Sequence, residues 1–205
     1  MNAERRNSIL RRSATTTCKI SFANLSAAMN RIFLFGPSGI GKSSYAKLLS
    51  EKLSFLWLEL DRYPASGDSI DHFNLRAEWN SFFQNGKPQA LINELDRRAS
   101  DGGMAGWVMT FPSFPILRSE HAKCLGNDAR VVYLDGLPTW CLRDFLDREK
   151  QTGRNLGEAH WKGNNADIFR FMESNQASEL LLSVYDTNGV RLSDEDVLNG
   201  LIQHN

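Results

Sequence analysis

The stretch that decides the fold is Arg31-Ile32-Phe33-Leu34-Phe35-Gly36-Pro37-Ser38-Gly39-Ile40-Gly41-Lys42-Ser43-Ser44. Its first five residues include an apolar run that stops at Gly-Pro, as a buried strand does when it meets a turn. The next eight, Gly36 to Ser43, fit G-x-x-x-x-G-K-[ST], the spacing of a phosphate-binding loop. Glycines let such a loop curl so that successive backbone N–H groups point inward at phosphate oxygens. Lys42 to Leu53 then carries apolar residues at 45, 46, 48, 49 and 53, the face of a helix whose N-terminus adds the positive end of its dipole. Strand, glycine loop and helix in this order are the context that such a motif requires. The expected phosphate-binding residues are Gly36, Pro37, Ser38, Gly39, Ile40, Gly41, Lys42, Ser43 and Ser44, with Lys42 on the β- and γ-phosphates and Ser43 on Mg²⁺.

Outward from this loop, short apolar runs alternate with helical patterns. Residues 55–60, 106–111, 130–134 and 184–186 read as further strands. Helices are expected over 73–83, 88–98, 139–150, 167–182 and 193–202, the last capped by Ser193 with acids in its first turn. The alternation predicts an α/β domain, a parallel sheet covered by helices on both faces.

Composition narrows the function classes. The 205 residues are 41% hydrophobic with 24 basic against 24 acidic groups, so a basic nucleic-acid-binding surface is not expected. No stretch approaches the roughly 20 apolar residues that cross a bilayer. The zero balance is a sum of two parts. Residues 1–30 hold Arg5, Arg6, Arg11, Arg12 and Lys19 against Glu4 alone, and the remainder is mildly acidic. Residues 1–29 read as a disordered arm or an upstream extension before Met29, with an organelle transit peptide as the alternative. The compartment expected is the cytoplasm, or an organelle if the leader is a transit peptide. Cys18, Cys124 and Cys141 form no CxxC pair, and His72, His121, His160 and His204 are scattered, so a zinc site is not expected.

Two further groups of residues complete the candidate site. Asp61 falls at the carboxyl end of the second strand, where α/β sheets place ligands. There it would take a proton from an acceptor hydroxyl or hold Mg²⁺; a solvated capping aspartate is the plainer alternative. Arg143, Arg148, Lys150 and Arg154 gather after the fourth strand, beside the polar, glycine-punctuated segment 152–165. Arg148 and Arg154 are the candidates to close over a transferring phosphoryl group, against an ordinary salt-laced helix face, since Asp144, Asp147 and Glu149 are interleaved. The third strand ends Val108-Met109-Thr110-Phe111-Pro112 without an acid, and no N-K-x-D is present, so a motor or switch-type GTPase is disfavoured.

In this order of parts the chain resembles the small P-loop kinases, the group of shikimate, gluconate, adenylate and uridine-type kinases. Val131-Val132-Tyr133-Leu134-Asp135 before an arginine-bearing helix looks like that group's fourth strand and lid helix. Tyr185-Asp186-Thr187-Asn188-Gly189 before Ser193-Asp194-Glu195-Asp196-Val197 is similar to the last strand, adenine-side loop and final helix of shikimate-kinase-like members. The resemblance implies a three-layer P-loop fold, a five-stranded parallel sheet in the order 2-3-1-4-5 with a mobile lid at about 148–165. It also implies an acceptor segment at about 61–84, where Asp61 matches the acceptor- or Mg²⁺-contacting aspartate, and Arg62, Tyr63, Asp71, His72, Arg76 and Trp79 are candidate wall residues. Phe111-Pro112-Ser113-Phe114-Pro115 replaces the glycines or G-x-P-R that members carry after the third strand, so no named acceptor pocket is reproduced.

The expectation is therefore a domain over 30–205 that uses ATP and Mg²⁺ to phosphorylate a hydroxyl of a small metabolite or nucleoside, as a monomer or homodimer. The catalytic candidates are Lys42, Asp61, Arg148 and Arg154, with Ser43 and Asp61 toward metal. The alternatives are an ATPase or regulatory nucleotide-binding module, and a protein that binds nucleotide without turnover.

Overall fold

The computed structural model describes residues 29–59, 75, 77–78, 81–82, 84–110, 124–174 and 178–203. Strand β1 (Asn30–Phe35) runs into the glycine loop and helix α1 (Lys42–Leu53), followed by β2 (Phe55–Glu59). Helix α2 (Gln89–Asp101) starts after Pro88 and leads to β3 (Gly106–Thr110). Then come β4 (Arg130–Asp135), α3 (Pro138–Gln151), α4 (Glu158–Met172), β5 (Leu181–Ser183) and α5 (Asp194–Gln203).

The strands form one parallel sheet in the order β2-β3-β1-β4-β5, as the resemblance implied. β1 lies at the centre because it is apolar on both faces. Phe33 and Phe35 point into one core with Leu91, Leu95, Trp107, Tyr133, Ile168 and Met172. Ile32 and Leu34 point into the other, with Tyr45, Leu49, Val108, Phe145, Trp161 and Leu201. This alternation, two buried faces on one strand, requires helices on both sides of the sheet. Connections from β1 run to one edge and those from β3 to the other, so the order reverses at β1. Ligands of such sheets bind outside the carboxyl ends at this reversal, which is where residues 36–43 lie.

Local signals account for most boundaries. Pro138 starts α3 at a position where its missing N–H costs nothing. The Ser193 hydroxyl accepts the Asp196 N–H at 3.1 Å and so caps α5. Two expectations fail after α3. The helix expected from 167 begins at Glu158, so residues 158–165 are the first half of α4, and only 152–157 connect the two helices. Asn164, Asn165 and Gly163 are poor helix formers, but Trp161, Asn165, Ile168 and Met172 form one buried stripe, and that burial outweighs propensity. The fifth strand is also earlier than expected. It is Leu181–Ser183, paired with Tyr133 to Asp135, while Tyr185 instead bridges Arg191. The apolar run 180–182 reads equally well as a helix end or an edge strand, and pairing with β4 decides it.

Among the described residues, no helix is long and apolar enough to cross a membrane.

Candidate functional site

Residues 36–43 bend sharply between β1 and α1. Gly39 and Gly41 adopt φ of 93° and 99°, a region that side chains rarely reach. At Gly39 there is also no room, since a Cβ would overlap the Cys141 carbonyl oxygen and press on Phe145 of α3. Gly41 is the N-cap of α1, whose first turn holds no acid, so the positive end of the helix dipole is not offset locally. Lys42 reaches back over the loop and donates to the Gly36 and Pro37 carbonyls at 2.9 and 3.1 Å. Ser43 and Ser44 are exposed on the first turn.

The outer side of the loop is braced by three distant side chains. Arg191, between β5 and α5, donates to the Ile40 carbonyl at 3.0 Å and to the Gly39 carbonyl at 3.2 Å. The Trp161 indole of α4 donates to the Ser38 carbonyl at 2.8 Å. The Asn165 side-chain oxygen accepts the Ser38 N–H at 2.8 Å. A trans peptide holds its N–H opposite its C=O. Holding the Ser38 and Ile40 carbonyls outward therefore turns the following amides, of Gly39 and Gly41, toward the concave side, while the Ile40 N–H closes a turn on the Pro37 carbonyl at 3.3 Å. That is the arrangement a phosphate needs.

Arg191 is held in turn. Asp144 of α3 accepts from it at 2.9 Å and from the Tyr185 hydroxyl at 2.9 Å, and Arg143 bonds the other carboxylate oxygen at 2.8 Å. Burial alone would raise the Asp144 carboxyl, but these three donors outweigh it and hold the group below its ordinary range. The Tyr185 hydroxyl is pushed up by burial and by its bond to Asp144. Cys141, buried beside the loop, is pushed up to about 12, by burial and then by Asp144. It is an unreactive packing thiol.

Arg148 and Arg154 come together on one carboxylate. Both donate to Oε1 of Glu149 at 3.0 Å, while their side chains stay about half exposed, at 48% and 55%. Glu149 itself is 2% exposed and its Oε2 has no hydrogen-bond partner among the described residues. Two guanidinium groups so close repel each other, and the shared carboxylate offsets this.

The remaining candidates, Asp61 with Arg62, Tyr63, Asp71, His72, Arg76 and Trp79, lie outside the described residues, as do 111–115. Glu59 is buried at the carboxyl end of β2, in register with the buried Thr110 of β3. A cavity of about 520 Å³ lined by Met29–Ile32, 126–131, Glu179 and Leu180 opens at the amino ends of β1 and β4, away from the loop.

The sequence reading missed Arg191, Asp144, Trp161, Asn165 and Glu149. Trp161 and Asn165 had a local signal, the 161-165-168-172 spacing, which marks a helix face. Arg191 had none, because its partners lie about 150 residues earlier in the chain.

For a metal, the described residues of the loop offer the exposed hydroxyls of Ser43 and Ser44. Such hard oxygen donors suit Mg²⁺. Among the described residues no cluster of three His, Cys, Asp or Glu side chains is assembled.

No family model matches the sequence, and no curated protein does. Solved structures do match. The chain is similar to a shikimate kinase from Acinetobacter baumannii in complex with shikimate, at 21% identity over 86% of this chain and 92% of that one, with a TM-score of 0.49. It is similar to a gluconokinase from Sinorhizobium meliloti 1021, at 15% identity over 84% and 90%, TM-score 0.46. It is also similar to the shikimate kinase from Aquifex aeolicus, at 16% identity over 84% and 94%, TM-score 0.46.

Proposed function

We propose that residues 30–205 form a phosphotransferase domain that moves the γ-phosphoryl group of ATP to a hydroxyl of a small metabolite or nucleoside. The observation that carries this reading is the loop 36–43, with its carbonyls tied outward by Arg191 and Trp161 and its amides turned inward above an uncompensated helix N-terminus.

Lys42 moves from the Gly36 and Pro37 carbonyls to the β- and γ-phosphates, exchanging partial negative charge for full charge. Ser43 would hold Mg²⁺, which when bound would neutralise the charge that spreads over the phosphate oxygens. Arg148 and Arg154, whose side chains stay about half exposed, would offer donors to the same charge. Asp61 accepts the acceptor's proton as its oxygen attacks the γ-phosphorus. The bond to the ADP oxygen breaks in line, and the products are a phosphate monoester and ADP. Little covalent work falls to the protein, so the rate comes from position and charge.

The test is ATP turnover by the purified full-length chain, alone and with sugars, nucleosides and hydroxylated ring acids. ADP release stimulated by one class of acceptor supports the phosphotransferase. Hydrolysis that no acceptor changes would make the protein an ATPase module. Tight ATP binding with neither would make it a binding protein without turnover.

A further inference from the structure

We infer that Asn165 and Trp161 of α4 are positioning residues for the phosphate loop, fixing the Ser38 peptide groups on which the loop's nucleotide-binding shape depends. This rests on the proposal that residues 36–43 bind nucleotide.

Three hydrogen bonds form a closed ring. Ser38 N–H donates to Asn165 Oδ1 at 2.8 Å, Asn165 Nδ2 donates to the Trp161 carbonyl at 2.7 Å, and the Trp161 indole returns to the Ser38 carbonyl at 2.8 Å. The amide orientation of Asn165 is dictated by its partners, because a backbone N–H only donates and a carbonyl only accepts. Both backbone polar groups of one loop residue are thus held by side chains more than 120 residues later.

The choice of residue at 165 is informative. Its neighbours on the buried stripe of α4 are Trp161, Ile168 and Met172, and Asn165 is 0% exposed. An apolar side chain would fill the stripe without the cost of burying an amide. An asparagine is useful there because the surface that α4 packs against is the tip of a loop with an unpaired N–H and C=O. The indole is seated on Phe169, with ring centroids 5.5 Å apart, so its N–H has a fixed direction. Pinning the Ser38 carbonyl outward turns the Gly39 amide inward.

The arrangement also joins two parts of the proposed machinery. α4 begins directly after the 152–157 connection that carries Arg154, and its fourth and eighth residues, Trp161 and Asn165, hold the loop. Occupancy of the loop is therefore felt at α4, and at the indole of Trp161 first.

Titration calorimetry of the full-length chain with ADP, and separately with inorganic tripolyphosphate, tests this. Asn165→Leu is compared with Met172→Ala, a core change on the same helix outside the ring. ADP binding at least tenfold weaker in Asn165→Leu, with Met172→Ala within twofold of wild type at equal or greater loss of thermal stability, supports positioning. Trp161→Phe, which removes the indole donor, gives the same comparison if Asn165→Leu does not fold. It also assigns the Trp161 indole N–H resonance, which is expected to shift when ADP saturates the wild-type protein. Equal ADP affinity in wild type and both ring variants, with no indole shift, overturns the inference and leaves the nucleotide reading standing. Wild-type protein that binds neither ADP nor tripolyphosphate overturns both.

Discussion

Arg191 lies 2.9 Å from Asp144, and through this pair the end of the chain braces the carbonyl side of the phosphate loop. One guanidinium spans two loop carbonyls, a carboxylate and two tyrosine rings, with its carbon 5.2 Å from the Tyr185 ring and 5.9 Å from that of Tyr45. Only a planar fork with several donors does this. Arg191→Lys is expected to lose most of the effect of Arg191→Ala. Hydrogen bonds to charged groups are worth about 1.5–3 kcal/mol, and both side chains are partly exposed, so about 2 kcal/mol of stability is expected to go. Urea denaturation measures it. Nucleotide affinity should fall in the same variants, since the loop carbonyls lose their tether.

Two glycines with positive φ separate conformational strain from crowding. Gly39→Ala places a methyl group on the Cys141 carbonyl as well as in a disfavoured region, whereas Gly153, at φ 67°, has open space around it. Gly153→Ala should cost about 1–2 kcal/mol, the ordinary left-handed penalty. Gly39→Ala should cost more than that and abolish nucleotide binding, because α3 or the loop must move. Thermal denaturation with and without ADP reads both effects.

Lys42→Ala should weaken ATP binding by one to three orders of magnitude in calorimetry, through loss of a charge-assisted bond to phosphate. Arg148→Ala and Arg154→Ala should act mainly on kcat, each by roughly 10²–10³, as is typical when a donor to transition-state charge is removed. Glu149→Gln should lower kcat although it adds no bulk, because the two guanidinium groups lose the carboxylate that keeps them together. Unchanged kcat in Glu149→Gln would mean that this pairing is incidental to turnover.

The alkaline limb of stability should be steep. The Cys141 thiol is pushed from 9.0 up to about 12 and the Tyr185 hydroxyl above its usual 10.0, so both hold their protons more tightly folded than unfolded. The stability they contribute is full below about pH 9 and is lost as pH rises from 9 through 12, by up to about 1.4 kcal/mol per pH unit for each group. Urea midpoints from pH 7 to 10.5 should fall accordingly, and Cys141→Ala should flatten the fall. On the acid side, Asp144 is held low by Arg191, Arg143 and Tyr185 against its burial, and contributes stability that is lost as pH drops below about 4.

What was legible in the sequence is what local pattern dictates. Four apolar residues before Gly36, eight positions of loop spacing and the 45-46-49 helix face all lie within 25 residues of one another. Each is enforced by backbone sterics and periodic burial, and the helix Lys42–Leu53 begins and ends where that pattern does. The alternation of strands and helices likewise implied a sheet covered on both sides, because a strand apolar on both faces has no other way to leave water.

Tertiary structure decided the rest. Whether 158–165 is helical depends on whether Trp161 and Asn165 find a surface, and that surface includes Ser38, more than 120 residues earlier in the chain. Leu181–Ser183 is a strand because β4 offers an open edge, not because of its own composition. Arg191, with its neighbours Val190 and Leu192, looks like any loop arginine until folding brings Asp144 and the Gly39 and Ile40 carbonyls around it. A side chain's partners across such distances leave no periodic trace in the sequence, since nothing but the packed sheet sets which residues meet.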